Sequence, residues 1–185
     1  MKIAIMGKIH TIGLKIFNDN NIENFEVESF DEKNLINKLS DVDGIVIRTA
    51  NLNSNIMTKC DQLKIVSRHG VGYDNVDSNY LSKNNIALAI TGTSNAVSVA
   101  EHVMSMFLHL TKKIYLSDKL VKSGNFTKKS ELPDFFELYN KKILILGFGR
   151  IGFELAKRCK GFDMDVYVYD PFIKEETITR NNCIP

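Results

Sequence analysis

The sequence has few of the residues that mark several large classes of protein. It contains 185 residues, no tryptophan, only three prolines and only three cysteines. Cys60, Cys159 and Cys183 cannot all pair, and they do not share the spacing of a metal site. A disulfide scaffold and a zinc site are therefore both disfavoured. We expect reduced thiols, no bound metal and a cytoplasmic protein.

An excess of charge of one sign is also missing. Lysine and arginine together number 24, and aspartate and glutamate number 22, which leaves a formal net charge of +2. This balance is too near neutral to favour nucleic acid or a membrane surface as a partner. No apolar run approaches the roughly 20 residues of a membrane-spanning helix. Hydrophobic residues still make up 44% of the chain, which is ordinary for a globular protein with a real core.

The most informative stretch lies near the end of the chain. Residues 143–146 form a short apolar run, typical of a strand that is buried on both faces of a parallel sheet. The run leads into Gly-Phe-Gly-Arg-Ile-Gly at 147–152, a complete G-x-G-x-x-G. An amphipathic helical pattern follows, which Gly161 is expected to end, and a second apolar run occupies 166–169. Strand, glycines, helix and strand together predict a dinucleotide-binding unit.

Each polar or flexible position of this unit has a chemical role. Gly147 permits the tight turn, Gly149 lets the backbone approach a pyrophosphate, and Gly152 lets the helix sit close to the strand. The helix start offers unpaired amides to the pyrophosphate. Asp170, directly after the second run, would accept hydrogen bonds from ribose hydroxyls and repel a 2′-phosphate, which favours NAD over NADP. The alternative is a glycine-rich turn in some other α/β protein.

The first half of the chain repeats an alternation of short apolar runs and helical patterns. This alternation predicts an α/β fold with a flavodoxin-like open parallel sheet. Asp31 can cap the helix that ends at Leu39, and a short helix is expected at 56–59. The predicted strands are 2–6, 25–30, 44–48, 63–67 and 86–90.

A domain boundary is predicted at residues 91–95, between the last of these strands and the glycine motif. Ser94 or Asn95 can cap a long helix that runs to about Lys122. This helix is apolar over more than one face, so we expect it to pack between domains or against a second subunit.

A second cluster of interest is Ser-Arg-His-Gly-Val-Gly-Tyr-Asp-Asn-Val-Asp at 67–77, at the end of the fourth predicted strand. Gly70 and Gly72 would leave backbone amides free to hold a small anion such as a carboxylate. Arg48 ends the neighbouring strand and could add a cationic group to the same rim. The alternative, a glycine turn and a surface arginine, stays open.

Four motifs in this order resemble the D-isomer-specific 2-hydroxyacid dehydrogenases. They are SRHGVGYDNVD, TSNAVSVAEH, the ELYNKK lead-in to ILILGFGRIG, and VYDP. The resemblance implies a flavodoxin-like substrate domain at 1–94, a Rossmann NAD-binding domain at 95–185, and a cleft between them. It also implies a small 2-hydroxy or 2-oxo acid substrate, NAD as cofactor, and a homodimer formed through the 95–122 helix and the cofactor domain.

The resemblance also implies roles for individual residues. The backbone at His69, Gly70, Val71 and Gly72 would hold the substrate carboxylate, with Val71 also close to the nicotinamide, and Arg48 would be the arginine of the substrate rim. Arg150 and Ile151 would present backbone to the pyrophosphate. The implied cofactor-binding set is Val71, Gly147, Phe148, Gly149, Arg150, Ile151, Gly152 and Asp170.

The chain departs from the family pattern in its catalytic groups. The family's substrate-fixing arginine, acid/base histidine and supporting carboxylate lie well beyond the ribose-binding acid, whereas this chain ends fifteen residues after Asp170, at Pro185. We therefore expect a truncated, partial cofactor domain with no catalytic residue. Glu101 and His102 do not replace them, because adjacent helical side chains point about 100° apart.

Two hypotheses follow. The first is part of an NAD-dependent oxidoreductase that moves a hydride between nicotinamide and C2 of a 2-hydroxy acid, as a chain that is inactive alone. The second is a non-catalytic NAD-binding or dimerising module of the corepressor type. The sequence leaves the acid open, because a phosphorylated substrate would need cationic groups, and Lys8, Arg48 and Arg68 are the candidates.

Overall fold

The computed structural model describes all 185 residues, which form two compact units, Met1–Ser94 and Asn95–Pro185. Both units are built from parallel strands that alternate with helices, so the predicted α/β fold is confirmed. None of the helices combines the length and the apolar composition that crossing a bilayer requires.

The first unit contains a single sheet of five parallel strands. Along the sheet the strands are Glu23–Glu26 (β2), Lys2–Met6 (β1), Gly44–Ile47 (β3), Ile65–Arg68 (β4) and Ala87–Ile90 (β5). This is the flavodoxin-like order, as the sequence predicted. Helix α4 was not predicted, although its signal is visible: the Asp77 side chain accepts from the Tyr80 amide at 3.0 Å and caps the helix. The elements are β1 Lys2–Met6, α1 Thr11–Asp19, β2 Glu23–Glu26, α2 Glu32–Leu39, β3 Gly44–Ile47, α3 Ser54–Met57, β4 Ile65–Arg68, α4 Ser78–Lys83 and β5 Ala87–Ile90.

The core of this unit follows from the alternation of side chains along the strands. Ala4, Met6, Ile45, Ile47 and Val66 belong to one buried cluster, because every second side chain of a strand points to the same face. Leucines of the capped helix α2 complete that cluster.

Strand β2 ends four residues earlier than predicted, because the chain after it prepares the next helix. Asp31 caps α2 as expected, since its Oδ1 accepts from the Asn34 amide at 2.9 Å. The Ser29 carbonyl accepts from the Asn34 side chain at 2.7 Å. These bonds hold the segment in a cap rather than in a longer strand.

The second unit has a two-stranded parallel sheet in which Lys142–Leu146 (β6) and Asp165–Tyr169 (β7) pair over their full length. Ile184 extends this sheet beyond β7, because its amide donates to the Val166 carbonyl and its carbonyl accepts from Val168, both at 2.8 Å. The elements are α5 Ala96–Thr111, α6 Ile114–Lys122, a 3₁₀ helix at Phe126–Glu131, β6 Lys142–Leu146, α7 Arg150–Gly161, β7 Asp165–Tyr169 and α8 Glu175–Arg180.

The expectation that residues 143–146 are buried on both faces is wrong. Ile145 is buried together with residues of α5 and α7, but Leu144 and Leu146 are 60% and 75% exposed. Alternate residues of a strand face opposite sides, and within this unit helices cover only one side of β6. The other side is an uncovered apolar face, formed by Leu144, Leu146 and Tyr169.

The predicted long helix from Asn95 to Lys122 is in fact two helices. Helix α5 ends at Thr111, and Lys113 takes a left-handed conformation, with φ 47° and ψ 43°, before α6 begins. The Thr111 carbonyl accepts from the Phe136 amide at 3.0 Å, so it is bonded to a loop residue rather than continuing the helix. The sequence holds no glycine or proline there to signal the break.

Asparagine has a structural role that the sequence did not suggest. Asn21, Asn85 and Asn182 adopt positive φ angles of 53°, 56° and 56° directly after helices. Among non-glycine residues, asparagine and aspartate enter this region most readily. The same is true at the end of α7, where Asp163 has φ 54°. Gly161 was expected to end α7 in this way but is its last helical residue.

Lys113 is the one left-handed residue that is neither glycine, asparagine nor aspartate. We expect Lys113→Gly to raise the free energy of unfolding by about 0.5–1 kcal/mol, because glycine removes the steric cost of this conformation. Lys112→Gly is the matched control, since Lys112 has φ −97° and should lose stability instead. Urea denaturation measures both, and equal effects of the two changes would contradict the prediction.

Candidate functional sites at the carboxyl ends of the strands

The glycine motif forms the turn between β6 and α7. Gly147 has φ 96°, a conformation that side chains rarely adopt. A β-carbon on Gly152 would overlap the Gly147 carbonyl oxygen, whereas one on Gly149 would meet no atom within 4 Å. Gly152 is therefore required for packing, and Gly149 leaves open space in front of the turn.

The start of α7 presents backbone amides at that open space. Gly149 is the N-cap residue of the helix, with no side chain to cap it. The amides of Gly149 and Ile151 have no acceptor within the chain. Such amides, together with the helix dipole, favour an anion.

Asp170 organises the same turn from the end of β7. Its Oδ2 accepts from the Phe148 amide at 2.7 Å, and its Oδ1 accepts from the amides of Phe172 and Ile173 at 2.8 and 3.2 Å. These bonds hold the pKa of Asp170 below its ordinary value, and the bond from Phe148 has the largest effect. The carboxylate is therefore ionised at neutral pH and lies beside the glycine turn. The Phe148 amide is already used by it.

The second glycine turn follows β4 in the first unit. The expectation that the Gly70 amide is free is wrong: it donates to the Arg68 carbonyl at 2.8 Å, and the His69 amide donates to Ile47 at 2.8 Å. Residues 68–70 thus form a tight turn, and Gly70 has φ 152°. The amides of Val71 and Gly72 have no acceptor within the chain, so they are the two that could hold an anion.

Cationic side chains lie close to this turn. The Arg68 guanidinium occupies the space beside Gly70 that a β-carbon would need, its Nη1 donates to the His69 carbonyl, and its buried Nε has no hydrogen-bond partner. Arg48 is exposed, and its Nη1 donates to the Lys8 carbonyl at 3.3 Å. The ends of β1 and β3 therefore meet through this arginine.

A groove of about 500 Å³ runs along the same edge of the first unit. Its polar lining comes from His10, Ser67, His69 and Thr91, and its apolar lining comes mostly from α1. His10 also caps α1, because its Nδ1 accepts from the Ile12 amide at 3.2 Å.

No histidine of the chain is paired with a carboxylate. Glu101 instead accepts from Arg158 at 3.1 Å, which ties α5 to α7, and His102 is exposed on α5. His109 stacks on Tyr115, with 6.0 Å between ring centroids.

Sequence reasoning missed Asn75. Its side-chain amide donates to the carbonyls of Ala50 and Arg48, at 2.6 and 3.4 Å. The Asp-Asn pair after the glycines could have signalled a turn, but nothing in the sequence indicated which segment this amide would reach.

Comparison with known proteins decides the family. The sequence profile of the D-isomer specific 2-hydroxyacid dehydrogenase catalytic domain matches residues 3–182. The chain belongs to this family. The resemblance carried by the four motifs is thereby confirmed.

The relatives that the chain matches are longer than it is. A D-3-phosphoglycerate dehydrogenase from Archaeoglobus fulgidus is 32% identical over 177 residues, which cover 95% of this chain and 33% of the relative. The NAD complex of a formate dehydrogenase from Staphylococcus aureus is 30% identical, with a TM-score of 0.79, and the match covers 93% of this chain and 57% of that one. A D-lactate dehydrogenase from Aquifex aeolicus, complexed with NAD and lactic acid, is 25% identical, with a TM-score of 0.82. That match covers 98% of this chain and 55% of the other. The chain thus spans about a third of the curated relative.

The lowered pKa of Asp170 makes the stability of the second unit depend on pH. A carboxyl group whose pKa is lower in the folded state contributes stability above its unfolded pKa, and this contribution is lost as the pH falls through the folded value. We expect Asp170→Asn to be less stable than wild type at pH 7, with a gap that narrows in acid. Denaturant unfolding across the acid range measures this, and a gap that stays constant with pH would contradict it.

Proposed function

We propose that this chain supplies the cofactor-gripping turn and the substrate-carboxylate turn of an NAD-dependent oxidoreductase. The enzyme would transfer a hydride between nicotinamide and C2 of a small 2-hydroxy or 2-oxo acid. The observation that carries the proposal is the turn at 147–152, which begins a helix and is bonded to Asp170 on the next strand. We assign 1–94 as the substrate domain and 95–185 as the NAD-binding domain.

The residues of the glycine turn fit NAD. Gly149 leaves the space that a pyrophosphate needs, and the amides of Gly149 and Ile151 can donate to its oxygens. Phe148 and Arg150 complete the turn around it. Asp170 is ionised, so it can accept from a ribose hydroxyl and would repel a 2′-phosphate, which supports NAD over NADP. When bound, NAD supplies the hydride acceptor.

Two solved relatives support the same cofactor. The formate dehydrogenase and the D-lactate dehydrogenase matched above are both complexes with NAD. Val71 is the residue of the first unit that we place near the nicotinamide. This assignment rests on the family pattern.

We propose the turn at 69–72 as the substrate-carboxylate site. The free amides of Val71 and Gly72 would donate to the carboxylate, while His69 and Gly70 shape the turn. The Arg68 guanidinium beside Gly70, with Arg48 and Lys8 on the same edge, suits an acid with a second anionic group. D-3-phosphoglycerate is such an acid, and the Archaeoglobus relative is a D-3-phosphoglycerate dehydrogenase.

We also propose a homodimer in a cytoplasmic setting. Leu110, Ile114, Tyr115 and Val121 of α5 and α6 are each at least 47% exposed, more apolar surface than a lone helical pair normally leaves to water. The same face would serve the second candidate function, a non-catalytic NAD-binding and dimerising module. The three buried thiols are unpaired, as expected of a reducing compartment.

Cofactor binding is tested with two glycine variants. We expect Gly149→Ala to keep the fold but to weaken NAD binding roughly tenfold or more, because its β-carbon enters the pyrophosphate space. Gly152→Ala should instead destabilise the second unit by about 1–3 kcal/mol through overlap with the turn.

Calorimetric titration with NAD and thermal unfolding separate the two effects. Wild-type protein that does not bind NAD at millimolar concentration would overturn the proposal. A change in light scattering on NAD binding, without any turnover, would favour the dimerising module.

We expect the 185-residue chain alone to have no measurable turnover. General acid catalysis needs a group within hydrogen-bond reach of the reacting carbonyl. None of the histidines has a carboxylate partner to orient it, and Glu101 is bonded to Arg158. The assay follows NADH formation with NAD and D-3-phosphoglycerate. Turnover of about 1 s⁻¹ or more, in the range of ordinary enzymes, would contradict the expectation.

A further inference from the structure

One side chain joins the two segments that carry the proposed substrate ligands. Asn75 lies in the loop that begins with the carboxylate turn, and Arg48 lies in the segment that leaves β3. The Asn75 Nδ2 atom donates to the Ala50 carbonyl at 2.6 Å and reaches the Arg48 carbonyl at 3.4 Å. Asn75 is half-buried, so water competes only in part for these bonds.

Backbone hydrogen bonds at Leu52 also join the same two segments. The Leu52 amide donates to the Asn75 carbonyl at 2.8 Å, and the Asp77 amide donates to the Leu52 carbonyl at 3.0 Å. Leu52 and Val76, which form this bridge, are both buried. The bridge alone therefore keeps the loops together, and the Asn75 side chain adds the connection to residues 48–50.

The amide group is suited to this connection. Its two hydrogens diverge in one plane, so they can serve two carbonyl oxygens at once. An aspartate of the same shape would place oxygen against both carbonyls, and an alanine would leave both without this donor. The Arg48 side chain is exposed and makes only a long bond to Lys8, so its position depends on how its backbone is held. The Arg48 amide donates to the Met6 carbonyl at 3.1 Å, and Asn75 holds the Arg48 carbonyl.

We propose that Asn75 is a positioning residue that holds Arg48 at a fixed place relative to the carboxylate turn. It would thereby set how much Arg48 contributes to binding the second anionic group of a 2-hydroxy acid. The inference rests on the proposed function of the turn at 69–72. A purely structural role for Asn75 would lower stability without singling out Arg48.

The test is a double-mutant cycle in the full chain, with ligand binding followed by calorimetry or NMR. Arg48→Met should weaken D-3-phosphoglycerate binding roughly tenfold, the order expected for a lost charged hydrogen bond. Asn75→Ala should weaken it roughly threefold to tenfold, and the double variant should bind no worse than Arg48→Met alone. D-lactate, which has no second anionic group, should change by less than about twofold in every variant.

Matched controls keep the readings separate. Asn79→Ala, at an exposed position whose side chain makes no hydrogen bond, should leave both ligands unaffected. If Asn75→Ala does not fold, Asn75→Ser replaces it, because one hydroxyl hydrogen can serve only one of the two carbonyls.

Two results would overturn the inference alone. Additive losses in the double variant would show that Asn75 acts independently of Arg48. Equal losses for D-lactate would show that Asn75 does not act on the binding of the second anionic group. Wild-type binding of neither ligand would reject the proposed carboxylate site and the inference with it. Either of the first two results, with wild-type protein that binds both ligands, would leave the proposed function standing.

Discussion

Both proposed ligand-binding turns depend on one constraint, the parallel direction of the strands. Parallel pairing sends the carboxyl ends of neighbouring strands to the same edge of a sheet. Arg48 and the turn at 69–72 therefore share one edge, although about twenty residues of chain separate them. Asp170 meets the turn at 147–152 for the same reason, because β6 and β7 pair in parallel. The location of each proposed site therefore follows from strand direction.

The Asp170 carboxylate is already hydrogen-bonded to backbone amides of its own chain. Three backbone amides already occupy part of its acceptor capacity, two at Oδ1 and one at Oδ2. A carboxylate has about four acceptor positions, so one remains on Oδ2 for a ribose hydroxyl. The acid thus shapes the glycine turn as well as serving as the proposed selector between NAD and NADP.

Local sequence patterns predicted the elements whose cause is local. The glycine spacing at 147–152, the cap at Asp31 and the strand alternation were all read correctly, because each depends on neighbouring residues. The family could also be read from the order of four motifs.

The errors arose where a distant partner decides the outcome. Helix α5 ends where Phe136 binds the Thr111 carbonyl, and the sequence near Lys113 gives no sign of it. Leu144 and Leu146 look buried because they are apolar, but burial depends on what covers that side of the sheet. Asn75 reaches across to the loop that follows the neighbouring strand. These contacts are tertiary, so no local pattern encodes them.

The uncovered apolar face at Leu144, Leu146 and Tyr169 has a practical consequence for any solution study. Two copies can bury these faces against each other, and such stacking strengthens with protein concentration and with salts that favour apolar burial. A dimer formed through this face would have the same molecular mass as a dimer formed through α5 and α6. Assembly of this chain therefore has to be mapped by surface position, since a molecular mass alone does not tell the two arrangements apart.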